Sequence, residues 1–242
     1  MARTGLARAL SKLGFASRSQ ARDIIAAGRV RVNGTLCREP ERWVDLRHDR
    51  IEVDSEIVKE VRKVYLMLNK PRGLVTTLSD EQGRATVIEC FVGSELPALS
   101  PVGRLDKASE GLLLFTNDTG WAARITDPDS RMEKIYHVQV NRVPDDRLIE
   151  HMQTGIEAAG DFLKAQRVTL LRHGSRNSWL EVVLTEGKNR HIRRLLAAFG
   201  VEVMRLVRIA IGPLQLGDLP KGGFRHLTIE EVRKLAAPKS FS

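Results

Sequence analysis

The chain has 242 residues, of which 42% are hydrophobic and 29% are charged, and its net charge is +9. This composition is typical of a globular protein with a substantial core, and it excludes a disordered chain. The positive charge favours a polyanionic partner, either nucleic acid or an anionic membrane surface, over a purely solvated surface. No run approaches the roughly 20 apolar residues that span a bilayer, and no signal-peptide core follows the N-terminus, so we expect a cytoplasmic protein without a membrane partner.

The residues that usually bind metals or cofactors do not cluster. Cys37 and Cys90 are far apart and have neither a metal-ligand nor a redox spacing, and the six histidines are scattered. The chain also lacks a glycine-rich phosphate-binding loop. We therefore expect no metal site, no cofactor, and free thiols in a reducing compartment.

Basic charge is concentrated near the N-terminus. The first fifty residues contain eleven Lys or Arg and five Asp or Glu, which gives a net charge of +6 out of the total of +9. Clustering of this kind is typical of a separate nucleic-acid-binding module.

The same segment predicts a small folded unit. A leucine repeat of helical spacing over residues 6–13 predicts a first helix that ends at Gly14. Ser17, followed three residues later by Gln20, forms a capping box that begins a second helix, and Gly28 ends it. Two helices in the first thirty residues therefore precede any predicted strand.

A hairpin follows the two helices. Residues 30–32 alternate between apolar and polar side chains, Asn33-Gly34 is a strong turn signal, and residues 35–37 begin the return strand. A basic ridge on the second helix and beside the hairpin comprises four arginines: Arg18, Arg22, Arg29 and Arg31.

This segment resembles the RNA-binding domain named after small-subunit ribosomal protein S-four. The resemblance rests on residues 17–22, Ile25 and residues 28–34, and it covers residues 1–55. It implies that the helix surface binds structured RNA through the four arginines of the ridge. The alternative is that these arginines only decorate a hairpin.

The remainder of the chain predicts a second, larger domain. The polar stretch over residues 54–63 predicts a linker, which divides the chain into domains 1–62 and 63–242. Apolar or alternating runs predict strands over residues 64–68, 112–115, 135–140, 179–184 and 201–209, with a helix over 191–199. Several strands with a few helices predict a mixed, mainly antiparallel sheet of the α+β class.

The segment over residues 103–118 carries the clearest chemical signal. A charged loop that contains Asp106 runs directly into a buried strand, and loops held by a rigid sheet commonly carry catalytic groups. Positive charge from Arg104 and Lys107 favours an ionised Asp106, which is then able to act as a nucleophile or base. From these residues alone, a turn or ion-pair role for Asp106 is the more common one.

The segment resembles the signature of pseudouridine synthases, in which the aspartate of Gly-Arg-Leu-Asp is catalytic. Further motifs in the same order resemble the Rsu-type bacterial ribosomal RNA pseudouridine synthases: residues 68–73, 134–138 and 186–194. The resemblance covers nearly the whole chain, and it implies isomerisation of a specific ribosomal RNA uridine to pseudouridine without a cofactor. Residues 186–194 and 219–223 favour relatives that act on the large-subunit 23S RNA over those that act on the small subunit.

The resemblance also implies roles for individual residues. Asp106 is the nucleophile, and Arg193 is its ion-pair partner. Tyr136 stacks on a uracil that is turned out of the RNA, and Ile192 packs beneath that ring. Four basic side chains are candidates for phosphate contacts: Arg104, Lys188, Arg190 and Arg194. From sequence alone, a strand tyrosine such as Tyr136 is more often a core residue, and Ile192 is equally compatible with a plain core position in a helix.

Three positions depart from the Thr, Gln and Met that are usual in the family: Ser109, His191 and Leu195. They put details of RNA contact in doubt, and they leave Asp106, Tyr136 and Arg193 unchanged. Two other functions stay open, a non-catalytic RNA-binding or ribosome-assembly factor and a glycosidic hydrolase with a carboxylate nucleophile. A non-catalytic factor does not need Asp106, Tyr136 and Arg193. A glycosidic hydrolase usually needs another carboxylate as general acid. A monomer is the default expectation.

Overall fold

The computed structural model describes residues 3–59, 61–158 and 160–237, which divide into two compact units. The first unit contains the described residues up to Tyr65 together with Gly93–Ser100 and Phe115–Ala123. The second contains Leu66–Val92, Pro101–Leu114 and the described residues from Arg124 onward. Within these ranges, no helix has the length and apolar character needed to cross a membrane.

The N-terminal elements confirm the predicted order of the two helices and the hairpin, although an unpredicted two-residue strand precedes the first helix. The elements are β1 (Thr4–Gly5), α1 (Leu6–Lys12), α2 (Arg18–Ala26), β2 (Val30–Val32), β3 (Thr35–Cys37), β4 (Trp43–Val44), β5 (Ile51–Val53) and β6 (Glu56–Ile57). The capping box of α2 is formed, because the Gln20 amide donates to Ser17 Oγ at 3.3 Å and the Ser17 amide donates to Gln20 Oε1 at 3.0 Å. Asn33 and Gly34 have φ angles of 52° and 78°, as the turn between β2 and β3 requires.

An apolar core holds these elements together. Leu6 and Leu10 of α1 and Ile25 of α2 are fully buried, as is Val30 of β2. Complete burial of each such side chain contributes roughly 1.5–3 kcal/mol. The helices cover a four-stranded sheet of order β3-β2-β5-β6, and β1 pairs separately with β4.

The stretch predicted as a linker begins instead with a second hairpin. Glu56 and Ile57 form β6, which pairs with β5 in antiparallel register. Asp54 and Ser55 connect the two strands with φ angles of 51° and 70°. The linker prediction was wrong for these four residues, because an Asp-Ser turn lacks the glycine that marks most left-handed hairpin turns.

The rest of the described chain forms eleven strands, four helices and two 3-10 turns. The strands are β7 (Tyr65–Lys70), β8 (Ser100–Val102), β9 (Glu110–Thr116), β10 (Lys134–Val140), β11 (Ile156–Ala158), β12 (Asp161–Leu163), β13 (Arg167–His173), β14 (Ser178–Leu184), β15 (Val203–Ile211), β16 (Leu214–Gln215) and β17 (Phe224–His226). The helices are α3 (Thr119–Thr126), α4 (Asp146–Thr154), α5 (His191–Ala198) and α6 (Ile229–Ala236), and the 3-10 turns are Val87–Phe91 and Pro128–Ser130.

Nine of these strands form one mixed sheet, which confirms the predicted α+β fold. Its order is β13-β14-β10-β15-β9-β7-β17, with β16 beside β15 and β8 beside β9. Strands β9 and β15 are parallel, whereas β10 pairs antiparallel with both β14 and β15. Strand β9 is buried along its whole length because it lies inside the sheet. The parallel pair places the loop that precedes β9 next to β15.

Gly111 allows the close approach of β9 to β15. It pairs with Arg208, and its φ of +101° lies in the left-handed region that favours glycine. A Cβ at this position would lie 2.2 Å from the Arg208 carbonyl oxygen. That contact is with backbone, so any side chain at this position forces the two strands apart.

We expect Gly111→Ala to lower the free energy of unfolding by more than about 3 kcal/mol, because it adds a backbone collision to conformational strain. Gly73→Ala is the matched control, since Gly73 has a φ of +100° and nothing within 4 Å of an added Cβ. The control should lose only about 1–2 kcal/mol. Denaturant unfolding measures both variants, and equal losses would contradict the collision.

Candidate active site

The loop that carries Asp106 is held by a buried lysine. Lys70, the last residue of β7, is 0% exposed, and its Nζ donates to the carbonyls of Ser109 at 2.8 Å, Pro71 at 3.1 Å and Asp106 at 3.2 Å. Burial lowers the pKa of Lys70 to about 8. The three carbonyl oxygens replace water around the ammonium, and they thereby fix the backbone at both ends of the 106–109 turn.

Two further contacts hold the backbone on either side of Asp106. Thr76 Oγ1 donates to the Leu105 carbonyl at 2.7 Å and accepts from the Leu105 amide at 3.3 Å. The Gly73 amide donates to the Lys107 carbonyl at 2.8 Å. The backbone groups of residues 105 and 107 are therefore both hydrogen-bonded, and Asp106 lies between them.

Asp106 lines a cavity of about 450 Å³ in the second unit. The walls come from the loop before β9, from β10 and β15, and from the start of α5. Six residues predicted for the site line this cavity: Arg104, Asp106, Tyr136, Lys188, Arg190 and Ile192. Its volume lies within the range of small-ligand sites. The fold thus brings together motifs that are far apart in sequence.

Tyr136 and Ile192 form apolar parts of this wall. Tyr136 lies on β10 and is 8% exposed, and Ile192 lies in the first turn of α5 and is 3% exposed. Tyr136 pairs with Val182 on one side and with Arg208 on the other. Their burial agrees with core positions, and their place in the cavity wall also leaves them available to an aromatic ligand.

Arg193 does not form the ion pair that the resemblance implies. Its guanidinium donates to the Ala108 carbonyl at 3.0 Å and to the Val203 carbonyl at 3.2 Å, and no ion pair of the described chain joins it to Asp106. Burial and then the charge of Arg190 lower the pKa of Arg193, and the charge of Asp106 opposes that shift. The two carbonyl groups each take up one donor of the guanidinium, whereas its buried Nε has no hydrogen-bond partner in the described chain, so Arg193 holds the loop through the Ala108 carbonyl.

Arg208 was missed by the sequence analysis. It is 5% exposed and lines the cavity with Asp106, its Nε donates to the Leu112 carbonyl at 2.7 Å, and its Nη2 is buried without a hydrogen-bond partner in the described structure. A buried cation without a carboxylate partner is costly. The sequence pattern could have indicated this residue, because Arg208 occupies a position of β15 that alternation with Leu206 and Ala210 assigns to the buried face.

The basic candidates of the second unit separate into two groups. Three of them line the cavity: Arg104, Lys188 and Arg190. Arg194 does not, because it forms an ion pair with Asp161 at 2.7 Å and donates to the Ala158 carbonyl. These contacts attach α5 to the β11–β12 hairpin.

The four arginines of the ridge in the first unit also fall into two groups. Two of its members line a groove: Arg18 and Arg22. Arg29 forms an ion pair with Asp54, and Arg31 donates to the Gly34 carbonyl at 2.9 Å. Both of these contacts are exposed, so an RNA phosphate is able to compete for either arginine.

A cavity lined by a carboxylate and basic groups in one unit, and a basic groove in the other, are typical of an enzyme that carries an RNA-binding module. Residues 64–198 match the family model described as RNA pseudouridylate synthase, and residues 4–51 match the S4 domain model. The chain therefore belongs to the RNA pseudouridylate synthase family and carries an S4 domain. Both predicted resemblances are confirmed.

Relatives and solved structures agree with this family. A protein of Aquifex aeolicus, described as an uncharacterized RNA pseudouridine synthase, is 40% identical over 228 residues, which cover 93% of this chain and 91% of the relative. A ribosomal large subunit pseudouridine synthase B of Bacillus subtilis is 34% identical over 235 residues, with 96% and 95% covered. A crystal structure of a pseudouridylate synthase matches with a TM-score of 0.68 at 29% identity, over 96% of this chain and 99% of that chain.

We expect Lys70→Met to lower the free energy of unfolding by about 2–4 kcal/mol, because three buried carbonyl groups lose their shared donor. Lys107→Met, an exposed change in the same loop, is the matched control and should stay within about 0.5 kcal/mol of the unaltered protein. Urea unfolding measures both variants. A Lys70→Met protein as stable as the control would show that the ammonium does not hold the loop.

Proposed function

We propose that the protein isomerises a specific uridine of ribosomal RNA to pseudouridine, with Asp106 as the nucleophile. The observation that carries the proposal is that Asp106, Tyr136 and Ile192 line one cavity although they come from three separate motifs. The name of the Bacillus subtilis relative supports a target in the large-subunit 23S RNA. We further infer a monomer that acts in the cytoplasm, with domains 1–62 and 63–242.

The target base has to leave the RNA stack before it reaches Asp106. Enzymes that act on a nucleobase turn it out into a pocket and stack it against aromatic or apolar side chains. The Tyr136 ring provides such a face, and Ile192 packs against the same ligand. Arg104 and Arg190 lie at the cavity and hold the phosphates on either side of the extruded nucleotide.

The reaction exchanges one glycosidic bond for another. Asp106 forms a transient bond to the substrate, at the sugar or at the ring, and the bond between N1 and C1′ breaks. The uracil then turns, its C5 bonds to C1′, the bond to Asp106 breaks, and the C5 hydrogen is lost while N1 gains a proton. No electrons are gained or lost overall, so the isomerisation itself requires no redox partner.

Cationic groups near the cavity assist the departure of the base. Uracil that leaves C1′ carries negative charge, which spreads from N1 to its carbonyl oxygens. Arg208 lines the cavity, and a positive charge that is held in place there stabilises the charge that develops on the base. Arg193 serves as a positioning residue, because it holds the Ala108 carbonyl within the catalytic loop.

We expect Asp106→Asn to reduce pseudouridine formation by at least about a thousandfold, because the amide is a poor nucleophile. The measurement is release of tritium from ribosomal RNA that is labelled at C5 of uridine. Asp127→Asn is the matched control, since Asp127 lines the same cavity and caps the Pro128–Ser130 turn, which asparagine also caps. The control should remain within about tenfold of the unaltered enzyme.

Binding separates loss of chemistry from loss of folding in this experiment. Asp106→Asn should bind ribosomal RNA as tightly as the unaltered protein, because the basic groups on the cavity wall are unchanged. Normal tritium release by Asp106→Asn would contradict the role of the aspartate. Release from small-subunit RNA alone would contradict the inferred large-subunit target.

A further inference from the structure

A groove of about 380 Å³ in the first unit combines positive charge with an exposed aromatic ring. Four arginines and one tryptophan contribute to its lining: Arg3, Arg8, Arg18, Arg22 and Trp43. The Trp43 side chain is 68% exposed, compared with 40% for Phe15 and 43% for Phe162. Such exposure of an indole ring leaves a large apolar face in contact with water.

The strand pattern explains why Trp43 points away from the core. In β4 the buried residue is Val44, so the neighbouring Trp43 falls on the opposite face. Its partner across the β1–β4 pair is Gly5, which has no side chain to cover the ring. Packing of this unit therefore does not require the tryptophan, and the exposed ring is available to a ligand.

The lining of the groove contains four arginines but only one acidic residue, Glu41. Arg22 forms an ion pair with Glu41 at 2.9 Å, and the two side chains are 63% and 70% exposed. No described residue forms an ion pair with Arg8 or Arg18. The groove thus presents an excess of guanidinium groups, which bind phosphate oxygens in a bidentate geometry.

We propose that this groove binds one unpaired nucleotide of the RNA, with its base stacked on Trp43 and the adjoining phosphates on Arg8 and Arg18. The proposal rests on the proposed function only in taking RNA as the ligand. A base inside a duplex has both faces covered by its neighbours, so stacking on Trp43 requires an unpaired one. Stacking of this kind tolerates any base, because every base has a π face. The groove therefore selects RNA segments that contain an unpaired nucleotide, whatever its base.

A binding cycle between protein and RNA tests the stacking contact in the full chain. One RNA is a hairpin with a single bulged nucleotide, and the other is the same hairpin with an abasic ribose at the bulge. For the unaltered protein, loss of the base should weaken binding by about tenfold. Trp43→Ala should weaken binding of the intact RNA by a similar factor and should bind both RNAs equally, because the contact is already absent.

Two variants and one spectroscopic signal complete the test. Trp43→Phe keeps an aromatic face and should retain binding within about threefold. Leu36→Ala, an exposed apolar change outside the groove lining, should leave both affinities unchanged. In the unaltered protein, the intact RNA should quench tryptophan fluorescence more strongly than the abasic RNA, and Trp43→Phe should remove that difference.

The proposal would be overturned if the effects of Trp43→Ala and of base removal on binding were additive. Equal binding of both RNAs by the unaltered protein would also overturn it. A fluorescence change with anionic lipid vesicles, together with no effect of the base, would assign the groove to a membrane surface instead. The cycle measures binding alone. A protein that shows the coupling but forms no pseudouridine would refute the proposed function and leave the nucleotide groove in place.

Discussion

The three hydrogen bonds from the buried ammonium of Lys70 are the contacts on which the position of Asp106 depends. A lysine with no exposed surface is costly, because its charge loses the surrounding water. The carbonyls of Pro71, Asp106 and Ser109 replace that water. They all belong to backbone in or next to the loop that carries Asp106, so the ammonium can be satisfied only when the loop has this conformation. The buried ammonium of Lys70 thus specifies the geometry of the loop that carries Asp106, a short segment that has no secondary structure of its own.

Cationic side chains surround Asp106, but none of the described residues forms an ion pair with it. Lys70 and Arg193 both interact electrostatically with Asp106, yet the hydrogen bonds that each of them donates go to carbonyl oxygens. Arg208 lies on the same cavity wall. An ion pair at short range would occupy the oxygen lone pairs that a nucleophile uses. Cations that are held elsewhere act on the carboxylate without that cost.

Local signals in the sequence predicted local structure well. The Ser17–Gln20 capping box and the Asn33-Gly34 turn act over a few residues, and both are formed. Asp106 and Tyr136 entered through family resemblance, since neither is distinguishable from a turn or core residue by its neighbours alone. The hydrogen-bond partners of Lys70, Arg193 and Arg208 were beyond prediction, because each is set by contacts between segments far apart in the chain. Of these three residues, only Arg208 could have been noticed from the sequence, because it is a charged residue in an apolar strand pattern.

A crystal structure of the Asp106→Asn protein with a ribosomal RNA fragment is the most direct test of the account, because this variant should bind its substrate without converting it. One uridine should be turned out of the RNA in that structure, with its base against Tyr136 and its glycosidic bond beside residue 106. An RNA bound with every base stacked, or a base placed outside the cavity that Asp106 lines, would contradict the account.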